Sequence, residues 1–277
     1  MVNTIQYPSI PDGIAKKARA IYGKGHIYLA IGDTLDELLS GLIPCEKLFL
    51  DHQSGGAFCL YLLISAVQYE EEFPDQRLIE AVPLRLDIQY ALHLASETLR
   101  ISPQSLQEFR SHLLSDPLDL KIFQKLLNRL KERGLFCAKP GIHIGAREVV
   151  RTICIASHIE RVVDAMFSTL EELAIEEPHW LRGIARPHWY ERYNRKRSIP
   201  SWPDPEGEWR SLPNEIGCDI RYLLDQVAKS PYGTLKALPE VLELIGAWEE
   251  MSELVRQEDG SSPDLDWNSP NCTQDNE

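Results

Sequence analysis

The stretch AREVVRTICIASHIERVVDAMFSTLEELAIE, residues 146–176, decides the fold class. Val149, Val150, Ile153, Ile159, Val162, Val163, Met166, Leu170 and Leu173 recur at helical spacing, and neither Gly nor Pro interrupts them. A run of this length with a period near 3.6 predicts one long amphipathic helix. Strand-like alternation is hard to find elsewhere, so the chain reads as all-α.

Working outward toward the N-terminus, short helices are predicted at tight turns. Ile14, Ala18, Ile21 and Tyr22 mark a first helix from Pro11 that stops at Gly23-Lys24-Gly25, and Asp33 or Thr34 caps a second over 35–42, ended by Pro44. Gly55-Gly56 opens a strongly apolar helix with Leu60, Leu62, Leu63, Ile64 and Val67, expected at the centre of the core. Pro74 breaks the chain before two short helices, about 76–81 and 84–92. Ser102 then caps a helix with Pro103 at its first position, and Asp116-Pro117 starts another that Gly134 ends.

Ala138-Lys139-Pro140-Gly141 is the expected domain boundary. It divides a helical domain, 1–140, from a second helical region, 141–256. Beyond the long helix, Pro178-His179-Trp180 and Pro187-His188-Trp189 are helix starts, and a Pro-rich loop over 199–205 leads to two last helices, about 209–228 and 235–255. The segment 257–277 is acidic and polar and is expected to be disordered.

The 277 residues carry 29 Lys and Arg against 42 Asp and Glu, a net charge of −13. Taken whole, that opposes phosphate binding, which needs surplus cations at the contact surface. The acidity is uneven. Residues 240–277 hold one basic residue, Arg256, and eleven acids, so the preceding 239 residues carry only −3.

Six cysteines, at 45, 59, 137, 154, 218 and 272, form no Cys-x-x-Cys pair and read as free thiols. There is no secretory signal and no apolar run of membrane-spanning length, which makes a cytoplasmic location and no membrane partner the expectation.

Enzyme motifs are scarce, and no cofactor is called for. Gly23-Lys24-Gly25 lacks the spacing of a phosphate loop. His179 and His188 have no Cys or carboxylate at ligand spacing, so packing of the adjacent tryptophans is the better reading. Glu70-Glu71-Glu72 cannot converge on one ion and reads as a solvated helix end. Two stretches suit nucleic acid. Residues 182–197 contain Arg182, Arg186, Arg192, Arg195, Lys196 and Arg197 against the single acid Glu191, interleaved with Trp189, Tyr190 and Tyr193. Cations there take phosphates and rings stack on bases. The competing reading pairs those arginines with Glu171, Glu172, Glu176 and Glu177. The helix after Pro103 offers Gln104, Gln107, Arg110 and Ser111 as the polar face of a helix-turn-helix reader.

Taken in order, several stretches resemble bacterial insertion-sequence DDE transposases, with an InsH-type helical amino-terminal domain ahead of a nuclease of RNase H-like fold. They are Ala18 to Gly25, Ala57 to Tyr69 with Pro74-Asp75-Gln76, Asp87 to Leu92, Ser105 to Leu114, Leu126 to Leu135, His158 to Val162 and Trp189 to Tyr193. The resemblance spans about 14–250. It implies a metal-binding Asp on a first nuclease strand, but counting back from Glu160 places Gly145 there. The second Asp and the Glu would fall past residue 277. A two-metal phosphoryl transfer needs those carboxylates. The expectation is therefore a catalytically inactive, truncated transposase-derived protein, not an enzyme, that retains DNA binding or assembly of a transposition complex. The alternative is a domesticated interaction or regulatory subunit that meets protein and no longer binds DNA.

Overall fold

The computed structural model describes residues 7–23, 25–42, 55–94, 101–136, 145–193 and 208–259, and every regular element among them is helical. In chain order these are α1 (Asp12–Ile21), α2 (Ile27–Asp33), α3 (Leu35–Leu39), α4 (Gly55–Glu71), α5 (Asp75–Ala81), α6 (Leu86–Ala91), α7 (Pro103–Ser115), α8 (Pro117–Glu132), α9 (Ala146–Glu176), α10 (Pro178–Ile184), α11 (Trp189–Arg192), α12 (Glu208–Lys229) and α13 (Pro239–Asp259), with a 3-10 turn at Leu235–Ala237. The all-α reading holds.

The chain forms two compact units, Met1–Cys154 and Ile155–Glu277, and the division falls inside α9. The boundary expected at 138–141 lies outside the described residues, as do the stretch Ile142 to Ile144, the Pro-rich loop and residues 260–277 of the expected tail. Helix α13 continues to Asp259, so the first residues of that tail are helical.

In the first unit α4 is the most buried element. Leu62 through Tyr69 are all buried, as a helix apolar around most of its circumference requires. Helices α1, α2 and α6 pack around Ile14, Ala18, Leu29 and Tyr90. Helix α2 was not apparent from periodicity. It is seven residues long and contains Gly32, where an added Cβ would lie 2.6 Å from Tyr90 Cδ1. Glycine is thus required by the close approach of Tyr90. Thr34 precedes α3 but caps nothing, because its hydroxyl donates back to Ala30 O at 2.8 Å.

The caps of α7 and α8 match the sequence signals. Ser102 Oγ accepts from Ser105 N while Ser105 Oγ accepts from Ser102 N, with Pro103 at the first helical position. Asp116 Oδ1 accepts from Leu118 N, and Gly134 stops α8 in the left-handed region at φ +66°.

The second unit buries one cluster: Ile159, Val162, Met166 and Leu173 of α9, Ile216, Ile220, Leu223 and Val227 of α12, Val241, Leu244 and Met251 of α13, and Trp189 of α11. Its last helix starts later than expected. Pro239 holds the preceding Leu238 extended, so the chain makes a 3-10 turn at 235–237 and restarts.

Cys59 and Cys154 are buried thiols outside any disulfide, whereas Cys218 is disulfide-bonded, so the reading of six free thiols does not stand. No helix among the described residues is long and apolar enough to cross a membrane.

Candidate nucleic-acid interface

Helix α7 turns Leu106 and Leu113 into the core, and Arg110 goes with them. Its residue exposure is 1%. The guanidinium forks onto Asp75 at the start of α5, Nη1 to Oδ1 at 2.7 Å and Nη2 to Oδ2, and Nη1 also reaches Gln68 Oε1 at 3.4 Å. Gln68 Nε2 closes the set by donating to Asp75 Oδ1 at 2.8 Å. Burial works against the charge on Arg110, yet the hydrogen bonds and charge of Asp75 outweigh it and hold the proton more firmly than in water. Arg110 therefore ties α7 to α4 and α5 and is not presented to a ligand. This corrects its reading as a base-contacting residue.

Sequence carried the signal for that outcome. Arg110 stands four residues after Leu106 and three before Leu113, on the buried stripe. The surface face that remains is neutral to acidic: Ser111 is exposed, Gln107 half-buried, and exposed Gln104 donates to Glu108 at 2.8 Å.

In the second unit the basic-aromatic segment folds over one buried carboxylate. Asp219 of α12, 1% exposed, accepts from His188 Nε2 at 2.9 Å, Tyr193 Oη at 2.8 Å and Arg192 Nη1 at 2.5 Å. Arg192 Nη2 donates to Glu215 at 2.7 Å. Arg186 lies 3.7 Å from Asp219 and stacks on Tyr222, its Cζ 3.9 Å from the ring centroid. Burial alone would raise the Asp219 carboxyl, but the hydrogen bonds from His188, Tyr193 and Arg192 prevail and hold it below the usual carboxylate range. Burial and the neighbouring Asp219 push the Tyr193 phenol well up.

The arginines at 186 and 192 are thus engaged internally, with Asp219 and Glu215 as partners. No motif marks Asp219, but it falls on the apolar stripe of Ile216, Ile220 and Leu223, where a lone acid implies buried partners. Arg182 is exposed, and Tyr190 is 86% exposed. Arg195, Lys196 and Arg197 lie outside the described residues.

Glu71 is another correction. It accepts from Tyr28 Oη at 2.7 Å and Arg85 Nη1 at 2.9 Å, while Arg85 also holds Asp87. This member of the Glu70-Glu71-Glu72 run anchors a network and is not a solvated helix end.

Gly145, at the position that the transposase resemblance assigns to a metal-binding Asp, directly precedes α9. The helix start is held by Gln124, whose Oε1 accepts from Ala146 N at 2.7 Å. Comparison with known protein families, with curated proteins and with solved structures returns no match.

Proposed function

We propose that this is a catalytically inactive, transposase-derived protein that acts by assembling with protein, in a transposition complex or a regulatory one. The observation carrying the choice of assembly over DNA reading is the internal engagement of Arg110, Arg186 and Arg192. A phosphate contact by Arg110 would have to break its ion pair with buried Asp75, which costs several kcal/mol, about 3–5. Inactivity is supported by Gly145, since glycine offers no side-chain ligand to a metal.

Arg182 and exposed Tyr190 favour a second reading in which DNA is held by Arg182 with Arg195, Lys196 and Arg197. In that case the contacts are to phosphates and stacked bases, and they position without specifying sequence.

Co-expression with an active insertion-sequence transposase of the resembled kind tests the first reading. The proposal expects a stable mixed complex with reduced DNA cleavage, unchanged by Arg182→Glu. Failure to form that complex, together with tight duplex binding lost in Arg182→Glu, overturns it in favour of the second.

A further inference from the structure

Helix α6 ends in a turn whose backbone prefers glycine. His93 N donates to Tyr90 O at 3.2 Å, Leu94 N donates to Gln89 O at 2.9 Å, and His93 between them takes φ +50°. This is the left-handed helix stop that glycine fills most readily, because a Cβ crowds the backbone there. A histidine at such a position calls for a reason in its side chain.

The half-buried ring lies between two backbone carbonyls. Nδ1 is 2.6 Å from Pro8 O, in the segment before α1, and Nε2 is 2.9 Å from Gly32 O in α2. Tyr7 meets the ring edge-on, with centroids 5.7 Å apart, and its hydroxyl donates to Leu92 O at 3.1 Å. A carbonyl oxygen only accepts, so both contacts are hydrogen bonds only when both ring nitrogens carry a proton. That species is the imidazolium. A neutral imidazole has one N–H and would turn the lone pair of its other nitrogen on a carbonyl. The two contacts also differ in their surroundings. Gly32 is buried against Tyr90, whereas Pro8 is exposed and its carbonyl can turn to water.

No carboxylate among the described residues pairs with His93. Of the ionisable groups around it, the Tyr7 and Tyr90 phenols are pushed up by burial, as is the Cys59 thiol of α4 near Tyr7, to about 12. Asp33, beside Gly32 on α2, accepts from Arg19 at 2.8 Å and from Tyr90 at 2.5 Å. Histidine is the side chain that ordinarily changes charge between about pH 5 and 8.

We infer that His93 is a proton-operated clasp: as the imidazolium it donates to Pro8 O and Gly32 O together and fastens residues 7–10 to α2 and the end of α6. As pH rises the Nδ1 proton passes to water. Nε2–H stays on the buried Gly32 O, a bare Nδ1 faces Pro8 O, and the segment is released.

The test uses the full chain with labelled histidine and tyrosine, reading by nuclear magnetic resonance the proton on each His93 nitrogen and the contact between the Tyr7 and His93 rings. Near pH 5 both nitrogens should be protonated and the rings in contact. Near pH 8 only Nε2 should hold a proton, and the ratio of clasped to open segment should fall at least about tenfold, as loss of a hydrogen bond from a charged donor implies. His93→Gly suits the backbone and should keep the circular dichroism of the wild type, with Tyr7 resonances in the open position at both pH values. His26, 3.7 Å from Asp87 near the other end of α2, remains in that variant. A Tyr7 shift with pH that survives His93→Gly therefore overturns the clasp. So does a His93 ring with one proton near pH 5, or a Tyr7 contact unchanged near pH 8.

Discussion

Two buried carboxylates, Asp75 and Asp219, engage arginines that the sequence offers to DNA. Each is matched to a guanidinium at hydrogen-bond distance, Arg110 in the first unit and Arg192 in the second. Replacing Asp219 with Asn leaves Arg192, Arg186 and His188 facing a neutral amide, and should lower the unfolding free energy by about 3 kcal/mol at pH 7. Because the folded carboxyl titrates below its ordinary value, its contribution is present in full above the unfolded-chain value near 3.9, about pH 4, and is lost as pH falls through the folded one. Urea unfolding at pH 7, 5 and 3 should therefore show a wild-type advantage over Asp219→Asn that is constant between the first two and smaller at the third. Arg110→Ala should cost about 3–5 kcal/mol, because it strands Asp75 in the core. Thermal melting checks this, and a variant that melts like the wild type would return Arg110 to the surface.

Among the helices, the glycines separate close packing from open space. A Cβ at Gly217 of α12 would sit 2.3 Å from Trp248 Cη2 on α13, and one at Gly32 of α2 would meet both ring and backbone of Tyr90. Gly183 of α10 has nothing within 4 Å. Gly217→Ala and Gly32→Ala should each destabilise by about 1–3 kcal/mol through overpacking, whereas Gly183→Ala should be neutral or stabilise by up to about 1 kcal/mol through helix propensity. Melting temperatures of the three variants give the signs directly.

The same elements show what was legible in the sequence. Helices α4, α7, α8 and α9 announced themselves through apolar periodicity and through Ser102, Asp116 and Gly134 at their ends. Helix α2 did not, since seven residues give too few turns for a period and its Gly32 argues locally against a helix. The candidate site was less legible than the fold. A basic residue at helical spacing looks the same in sequence whether it faces solvent or a buried acid. Asp75 lies 35 residues before Arg110, and Asp219 lies 27 after Arg192, so only the fold pairs them.

At the scale of the whole molecule, charge divides between a nearly neutral first 239 residues and the strongly acidic stretch 240–277. Residues 260–277 alone contain Asp264, Asp266, Asp275 and Glu277 with no basic residue. Their removal should tighten any duplex binding at low salt and leave it unchanged above about 0.3 M, where exposed charges are screened. Anisotropy titrations of the shortened and full chains make that comparison.

Arg110, Arg186 and Arg192 are expected to serve the fold and not a phosphate backbone, and the salt dependence of duplex binding counts the cations that contact DNA. If only Arg182, Arg195, Lys196 and Arg197 are available, the logarithm of affinity should fall with the logarithm of salt at a slope no steeper than about −3.6. A slope near −6, made shallower by about one in a folded Arg110→Met variant, would put the internal arginines on DNA and contradict it.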